Sequence, residues 1–516
     1  MVERIANIGS QSSPQHCHNG LMRLLEQCGI NNLVTRVPGS PISHMMLPST
    51  YIKLLHDLYP NQFRQRLGAT QSLVARFWVG FFSRPQNQDI VKRHPMLKNK
   101  VPADLATTLP CCVHQDAGPF SKTKSCDNVS FSSLLGDGDE KVTKYLNFTY
   151  IAKSDSKTRP TPCPIAWGRF LEDWDDLGTG LIGDTPIAKD EDGTMWCFIL
   201  LFLKGDEENA CNEWGMPHYG SEEVCGMCMA NRVTRPFTDL RRVAAWRPTE
   251  AMPHEVFMAR LREPLHPLMA SPYCHRWFVY PDLMHLLDCK GVLALVYGGL
   301  LYALVRDQRL GSNKGERLCS INAEREAWYR NNPGEHRLPK IIATNLVTAG
   351  WAELSGPAIK AANSRGARVF FKTLALRFFT TSSRYDVCIR TLFTSLCRIY
   401  DILYASPMFL SNADIDALRE ECVGFGESYQ ELRELSRVRA QMAFPVRPKV
   451  RRMQHLPRMA EIINPTFVQC YAEESLVGTT TKVWKKSVAG RYQRGVQNVV
   501  LVKRLTALLL RVEVGA

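Results

Sequence analysis

Acidic side chains that could share a cation stand far apart in this sequence. Asp116 closes Leu-Pro-Cys-Cys-Val-His-Gln-Asp, Asp206 follows the apolar run 196–205, and Glu473 and Glu474 lie in a basic context further on. Carboxylates gathered from distant segments suit one or two hard divalent cations, Mg²⁺ or Mn²⁺. Such ions take oxygen ligands and keep open positions for phosphate. A second constellation is softer. Cys211, His218, Cys225 and Cys228 follow the spacing C-x6-H-x6-C-x2-C, which offers the four donors of a closed structural Zn²⁺ site. A third is Asp282 and His285, three residues apart, which share a face if they lie on a helix.

The charge balance names the phosphate source. The chain of 516 residues has a formal net charge of +14. Residues 441–516 hold 13 Lys and Arg against 4 Glu, so 13 − 4 = +9 of that excess sits there. A concentration of this kind favours a polyanion, and nucleic acid is the natural one. Lys449, Arg451, Arg452 and His455 form one basic cluster. Lys482, Trp484, Lys485, Lys486, Arg491, Tyr492 and Arg494 interleave cations with aromatics, which suits phosphate contact with stacking. A solvated basic face is the plain alternative for both.

These residues need elements to hold them. Residues 129–135 and 145–151 are β-prone runs, 165–174 carry apolar residues at helical spacing, and 196–203 form a continuous apolar run fit for a buried strand. Strand, strand, strand, helix, strand is the order of an RNase H-like core. From 282 to about 443 the pattern turns helical, over 283–306, 365–379, 385–403 and 415–442. Ser411 and Asn412 mark a helix start. The apolar run 291–305 is short for a bilayer and is expected as a buried helix, so no membrane partner is expected. Seventeen scattered cysteines, with no signal-peptide pattern, predict a reducing compartment rather than a disulfide framework.

The expected fold is therefore α/β plus α: an RNase H-like mixed β-sheet core interrupted by a large all-α insertion, with a small Cys/His zinc-type module. The expected divisions are a polar, helical region (1–105), the first part of the core (106–210), the Cys/His insertion and connector (211–280), the all-α insertion (281–445) and a basic segment carrying the third acid (446–516).

The motifs and their order resemble those of DDE-type DNA transposases, near the CACTA group. His114-Gln115-Asp116-Ala117-Gly118-Pro119-Phe120 is similar to that group's first catalytic region, although Ala117 stands where Gly is frequent. Asp206 with the later Cys225 and Cys228 resembles the second acid and its C-x-x-C. Asp282 and His285 resemble an Asp-x-x-His that opens a helical region. The resemblance spans roughly residues 108–490 and rests on short motifs, not on continuous similarity. It implies Asp116, Asp206 and Glu474 as Mg²⁺-binding catalytic acids, with Asp282 and Glu473 as alternatives and His285 beside them. It implies double-stranded DNA as partner, admits a homo-oligomer, and implies a nuclear location, with strand cleavage and transfer as the activity. Two other readings stay open: a catalytically inactive or domesticated DNA-binding derivative, and a helical protein-interaction scaffold.

Overall fold

The computed structural model describes residues 23, 34–37, 44–119, 125–137, 145–152, 164–306, 310–348, 350–356, 359–439, 441–487, 500–501 and 503. The protein is mixed α/β and divides into two compact units. The first gathers Met1–Gly215, Leu261–Tyr280 and Cys470–Ala516, and the second Met216–Arg260 and Pro281–Gln469.

The first unit is built on a four-stranded sheet of β1 (Thr108–Pro119), β2 (Ser125–Ser133), β3 (Tyr145–Ala152) and β4 (Cys197–Lys204). Their order across the sheet is β3-β2-β1-β4. The first three strands run as an antiparallel meander, whereas β4 lies parallel to β1. Parallel neighbours cannot be joined by a tight turn. The chain between β3 and β4 includes the helix Pro164–Thr179, which packs Phe170 and Trp174 inward. β4 is buried almost throughout and reads as an unbroken apolar run, as a strand covered on both faces does. Beyond it, Leu203 bridges Val279 in parallel, extending the pairing by one position. The helices Pro48–Leu58, Pro60–Leu67 and Gln71–Phe82 belong to this unit and bury Tyr51, Phe63, Phe77 and Trp78.

The helix Tyr471–Ser487 returns to the sheet after an excursion of almost 190 residues through the second unit. Gly118 permits its close approach, since a Cβ there would stand 2.2 Å from Thr481 Oγ1 and 2.9 Å from Val477 Cγ1. Trp484 is fully buried and donates from Nε1 to Thr149 Oγ1 on β3, at 2.9 Å. Glu473, at the start of this helix, meets Lys204 at the end of β4, Nζ to Oε1 2.6 Å, with both side chains buried. Burial alone would pull the Lys204 pKa down. The Glu473 carboxylate outweighs it and drives the value up.

The second unit is largely helical. Arg384–Ala405 and Asn412–Val438 form a long hairpin whose starts are capped by Ser383 and Ser411 hydroxyls, each accepting an amide at 3.1 Å. The apolar run is a core helix, Val292–Arg306, with Tyr297 stacked on Phe371 at 3.9 Å between centroids. By length and composition Met284–Arg306 could cross a membrane, but 78% of its most apolar window is buried inside the protein. The helix expected to run unbroken over 283–306 is interrupted. Met284–Asp288 is a π-turn, and Lys290 takes a left-handed φ of 49° that ends it. Lys449 Nζ donates to the carbonyls of His285 (2.9 Å) and Lys290 (3.3 Å) at this break.

Removing one partner of a buried ion pair leaves the other charge stranded, so Glu473→Ala should destabilise the protein by roughly 3–5 kcal/mol. The double substitution Lys204→Met with Glu473→Leu should recover most of that loss. Urea denaturation of the three variants and the parent checks both expectations.

Candidate metal centres

The parallel register explains the first site. His114 of β1 stands opposite Lys204 of β4, so the chain leaving β4 brings Asp206 to about the level of Asp116. Both line one cleft of about 200 Å³, together with Asp127, Glu208 and Glu213. Asp116 is not at the end of its strand, as its place in the apolar run suggested, but well inside β1, opposite Asn128 of β2. One of its carboxylate oxygens accepts the amide of Ala117 at 2.7 Å. Asp206 caps the helix Glu207–Asn212, its Oδ1 accepting the amide of Asn209 at 2.6 Å. Asp127 accepts Gln115 Nε2 at 2.9 Å, and Trp214 Nε1 donates to the same glutamine's Oε1 at 2.9 Å, so the cleft floor is held by side-chain hydrogen bonds.

Of the two neighbouring glutamates, Glu474 is the one that approaches Asp116. Its carboxylate comes within 4.8 Å of that of Asp116. Glu473 turns to Lys204 instead, so of two neighbours on one helix one faces the cation and the other the acid. Two carboxylates within 4.8 Å are able to hold a metal ion between them. Asp282 and His285 belong to the second unit and bind each other, Nδ1 to Oδ2 2.6 Å. Asp282 also accepts the amides of Met284 and His285, so its carboxylate organises the turn it starts.

A second donor group lies wholly within the second unit. Cys225, Cys228 and His455 place their ligand atoms within 4.8 Å of one another, all buried, and could hold a metal ion. The cysteines sit in a small core with Val224, Ala230, Ala244 and Trp246. The amide of Met227 donates to Cys225 Sγ at 3.2 Å and that of Ala230 to Cys228 Sγ at 3.3 Å, which turns both sulfurs inward. His455 lies 3.5 Å from Cys225 Sγ and bonds Glu250 Oε1 through Nδ1 at 2.6 Å. Because Nε2 accepts from Arg451 Nη1 at 2.8 Å, Nδ1 carries the ring proton and donates it to Glu250. A carboxylate behind a histidine fixes the tautomer that a metal ligand needs.

Electrostatics separate the two thiols. Burial pushes Cys225 up, but the Cys228 S–H, the Arg451 guanidinium and His455 outweigh it and hold it well below the usual thiol range. Burial and the neighbouring Cys225 push Cys228 well above that range. Burial opposes the charge on Arg451, yet the two sulfurs raise its pKa further.

Several assignments change with these positions. His455 and Arg451, expected on a nucleic-acid surface, are fully buried around the cysteines. Arg452 donates to the Val224 carbonyl at 3.1 Å, and Lys449 is engaged at the helix break. Trp484 is inside the core of the first unit and has no face for a base. Lys482 and Lys485 are exposed. The Lys486 side chain, Arg491, Tyr492 and Arg494 lie outside the described residues, as does Phe120. Cys211 is buried in the first unit, on the helix Glu207–Asn212. His218 uses Nδ1 to accept the Gly220 amide at 2.9 Å and packs at a tilt against the Tyr219 ring. Spacing along the chain could not find His455, which follows the C-x-x-C by 230 residues. Compared with known proteins, the chain matches no family model and no curated protein.

Burial works against an ionised Glu250, but His455, Arg247 and Arg458 outweigh it and hold its pKa below the usual 4.5. A carboxylate lowered in the folded state stabilises fully above its ordinary value, and the contribution disappears as pH falls through the folded one. Glu250→Gln should therefore cost roughly 1.5–3 kcal/mol at pH 7. The variant's stability should also fall less than the parent's between pH 5 and pH 3, as read by urea denaturation across that range.

Proposed function

We propose that this protein is a transposase-like polynucleotidyl transferase that cleaves and joins DNA strands with Mg²⁺ or Mn²⁺ bound in the cleft of its first unit. The observation that carries this reading is the approach of the Asp116 and Glu474 carboxylates to within 4.8 Å, from a strand and a helix that are distant in the chain. Support comes also from the sheet. A meander of three strands, a crossing helix and a fourth strand parallel to the first is the order of an RNase H-like core. An acid on the first strand, a second just past the fourth and a third on a covering helix complete the likeness.

Asp116 and Glu474 would hold the ions, which would supply Lewis-acid polarisation of a phosphate and a lowered pKa for a water or hydroxyl nucleophile. Asp116 and Glu474 act as ligands held at a fixed separation by the sheet and by the Lys204–Glu473 pair. Asp206 acts from the cleft wall through the oxygen that does not cap its helix. Lys482 and Lys485 lie exposed on the helix that bears Glu474 and would hold DNA phosphates near the cleft. Double-stranded DNA is the substrate class, and a nuclear location follows from it. The soft donors Cys225, Cys228 and His455, with Glu250 behind the imidazole, suit Zn²⁺ in a structural role. A second reading, a DNA-binding derivative without cleavage, draws on the use of Asp206 as a helix cap.

Plasmid nicking separates the two. Purified protein should nick supercoiled DNA with Mg²⁺ or Mn²⁺ and not with EDTA. Partners behind a ligand are worth about 10–100-fold in metal affinity or activity. Asp116→Asn or Glu474→Gln, which alter ligands themselves, should thus cost more than roughly 100-fold. Metal-independent binding with no nicking would favour the second reading.

Salt dependence tests the DNA contact. Each phosphate neutralised contributes a slope of about −0.9 to the logarithm of affinity against that of salt. Lys482→Ala with Lys485→Ala should flatten the slope by up to about 1.8. An unchanged slope in a fluorescence-anisotropy titration would put both lysines off the DNA path.

A further inference from the structure

Arg451 and His455 are one helical turn apart, in the consecutive helical segments Pro448–Arg452 and Met453–His455, and so share a face. That face meets the two cysteines. Arg451 Nη1 lies 2.9 Å from Cys228 Sγ and 2.8 Å from His455 Nε2, and the guanidinium stacks over Trp246, 5.2 Å from the ring centroid. A terminal guanidinium nitrogen carries two hydrogens, one for each acceptor. The electron pairs that a soft cation would take from Cys228 and His455 are the same ones that this nitrogen engages. The arrangement is closed around a positive charge that belongs to the chain itself.

We propose that Arg451 gates this metal site: its guanidinium competes with Zn²⁺ for the Cys228 sulfur and the His455 Nε2 lone pair, and the ion binds fully only when the guanidinium withdraws. The inference rests on the zinc reading of Cys225, Cys228 and His455. Two effects act in the same direction. The guanidinium must give up two hydrogen bonds in a buried setting, and a divalent ion must settle beside a like charge if it does not leave. Ligation also releases a proton to solvent from whichever cysteine enters as a thiol, so the sulfurs finish as thiolates. A site built this way releases its ion more readily than one closed by a fourth donor.

The experiment uses the full chain and Zn²⁺ alone, titrated against a chromogenic chelator, with Co²⁺ as a spectroscopic stand-in. Arg451→Gln removes the charge. Arg451→His removes it and adds a donor one turn from His455. Both should bind Zn²⁺ more tightly than the parent, by on the order of 10- to 100-fold. Co²⁺-loaded Arg451→His should show intense tetrahedral d–d bands, with weaker ones in the parent. Equal or weaker binding by both variants, with the parent binding Zn²⁺ well, would overturn the gate and leave the zinc reading standing. No Zn²⁺ uptake by the parent or by either folded variant would overturn both. If the variants lose their fold by circular dichroism, recovery on adding Zn²⁺ supports the gate, because the ion then replaces the missing cation. Failure to recover overturns it.

Discussion

The parallel pairing of Thr108–Pro119 with Cys197–Lys204 is the constraint from which the first unit follows. Parallel strands demand a long connection, and here that connection includes the helix Pro164–Thr179, which covers the sheet. The same register brings the exit of β4 level with the middle of β1, so the acids Asp116 and Asp206 open onto one cleft. Were β4 antiparallel, Asp206 would leave at the opposite end of the sheet. The returning helix Tyr471–Ser487 then has a fixed landing place, set by the bare backbone of Gly118 and the charge of Lys204.

The second unit solves a different problem, that of holding a cysteine loop with little secondary structure. It does so by surrounding the two sulfurs with polar partners: amides, an imidazole and a guanidinium. Two glycines on the core helix show how tightly the rest is packed. A Cβ on Gly298 would stand 2.4 Å from the Glu353 backbone, and one on Gly299 would meet the Phe444 ring at 2.5 Å.

Much of the architecture was legible in the sequence. The apolar run ending at Lys204 declared a buried strand, although it stands at the edge of the four-stranded sheet and not at its centre, and Ser411 declared the start of a helix, because burial on both faces and an unsatisfied first turn leave strong local signatures. Glu474 is preferred in the sequence only through the resemblance, with Glu473 as its alternative. The choice between them depends on which one finds Lys204, a contact that no local pattern encodes. The cysteine pair was visible, but its histidine was not. Arg451 and His455 look basic in sequence and invite a phosphate, whereas the fold buries them. Trp484 misled in the same way, its aromatic ring serving the core rather than a base. The break at Lys290 falls in Asp288-Cys289-Lys290-Gly291, a short polar interval that a helical period running through both flanks masks.

The cysteine pair is translated long before the residue that completes its setting, since Cys225 and His455 are 230 positions apart. A chain emerging from the ribosome therefore carries the two thiols without their imidazole until 230 further residues have followed Cys225. The carboxylates of the cleft wait longer still, since 474 − 116 = 358 positions separate Asp116 from Glu474. Loop closure over such distances costs only slowly more entropy with length, but it cannot begin until the far partner exists. Neither centre is assembled piecemeal as synthesis proceeds. Each closes only once its later partner, His455 or Glu474, has been made.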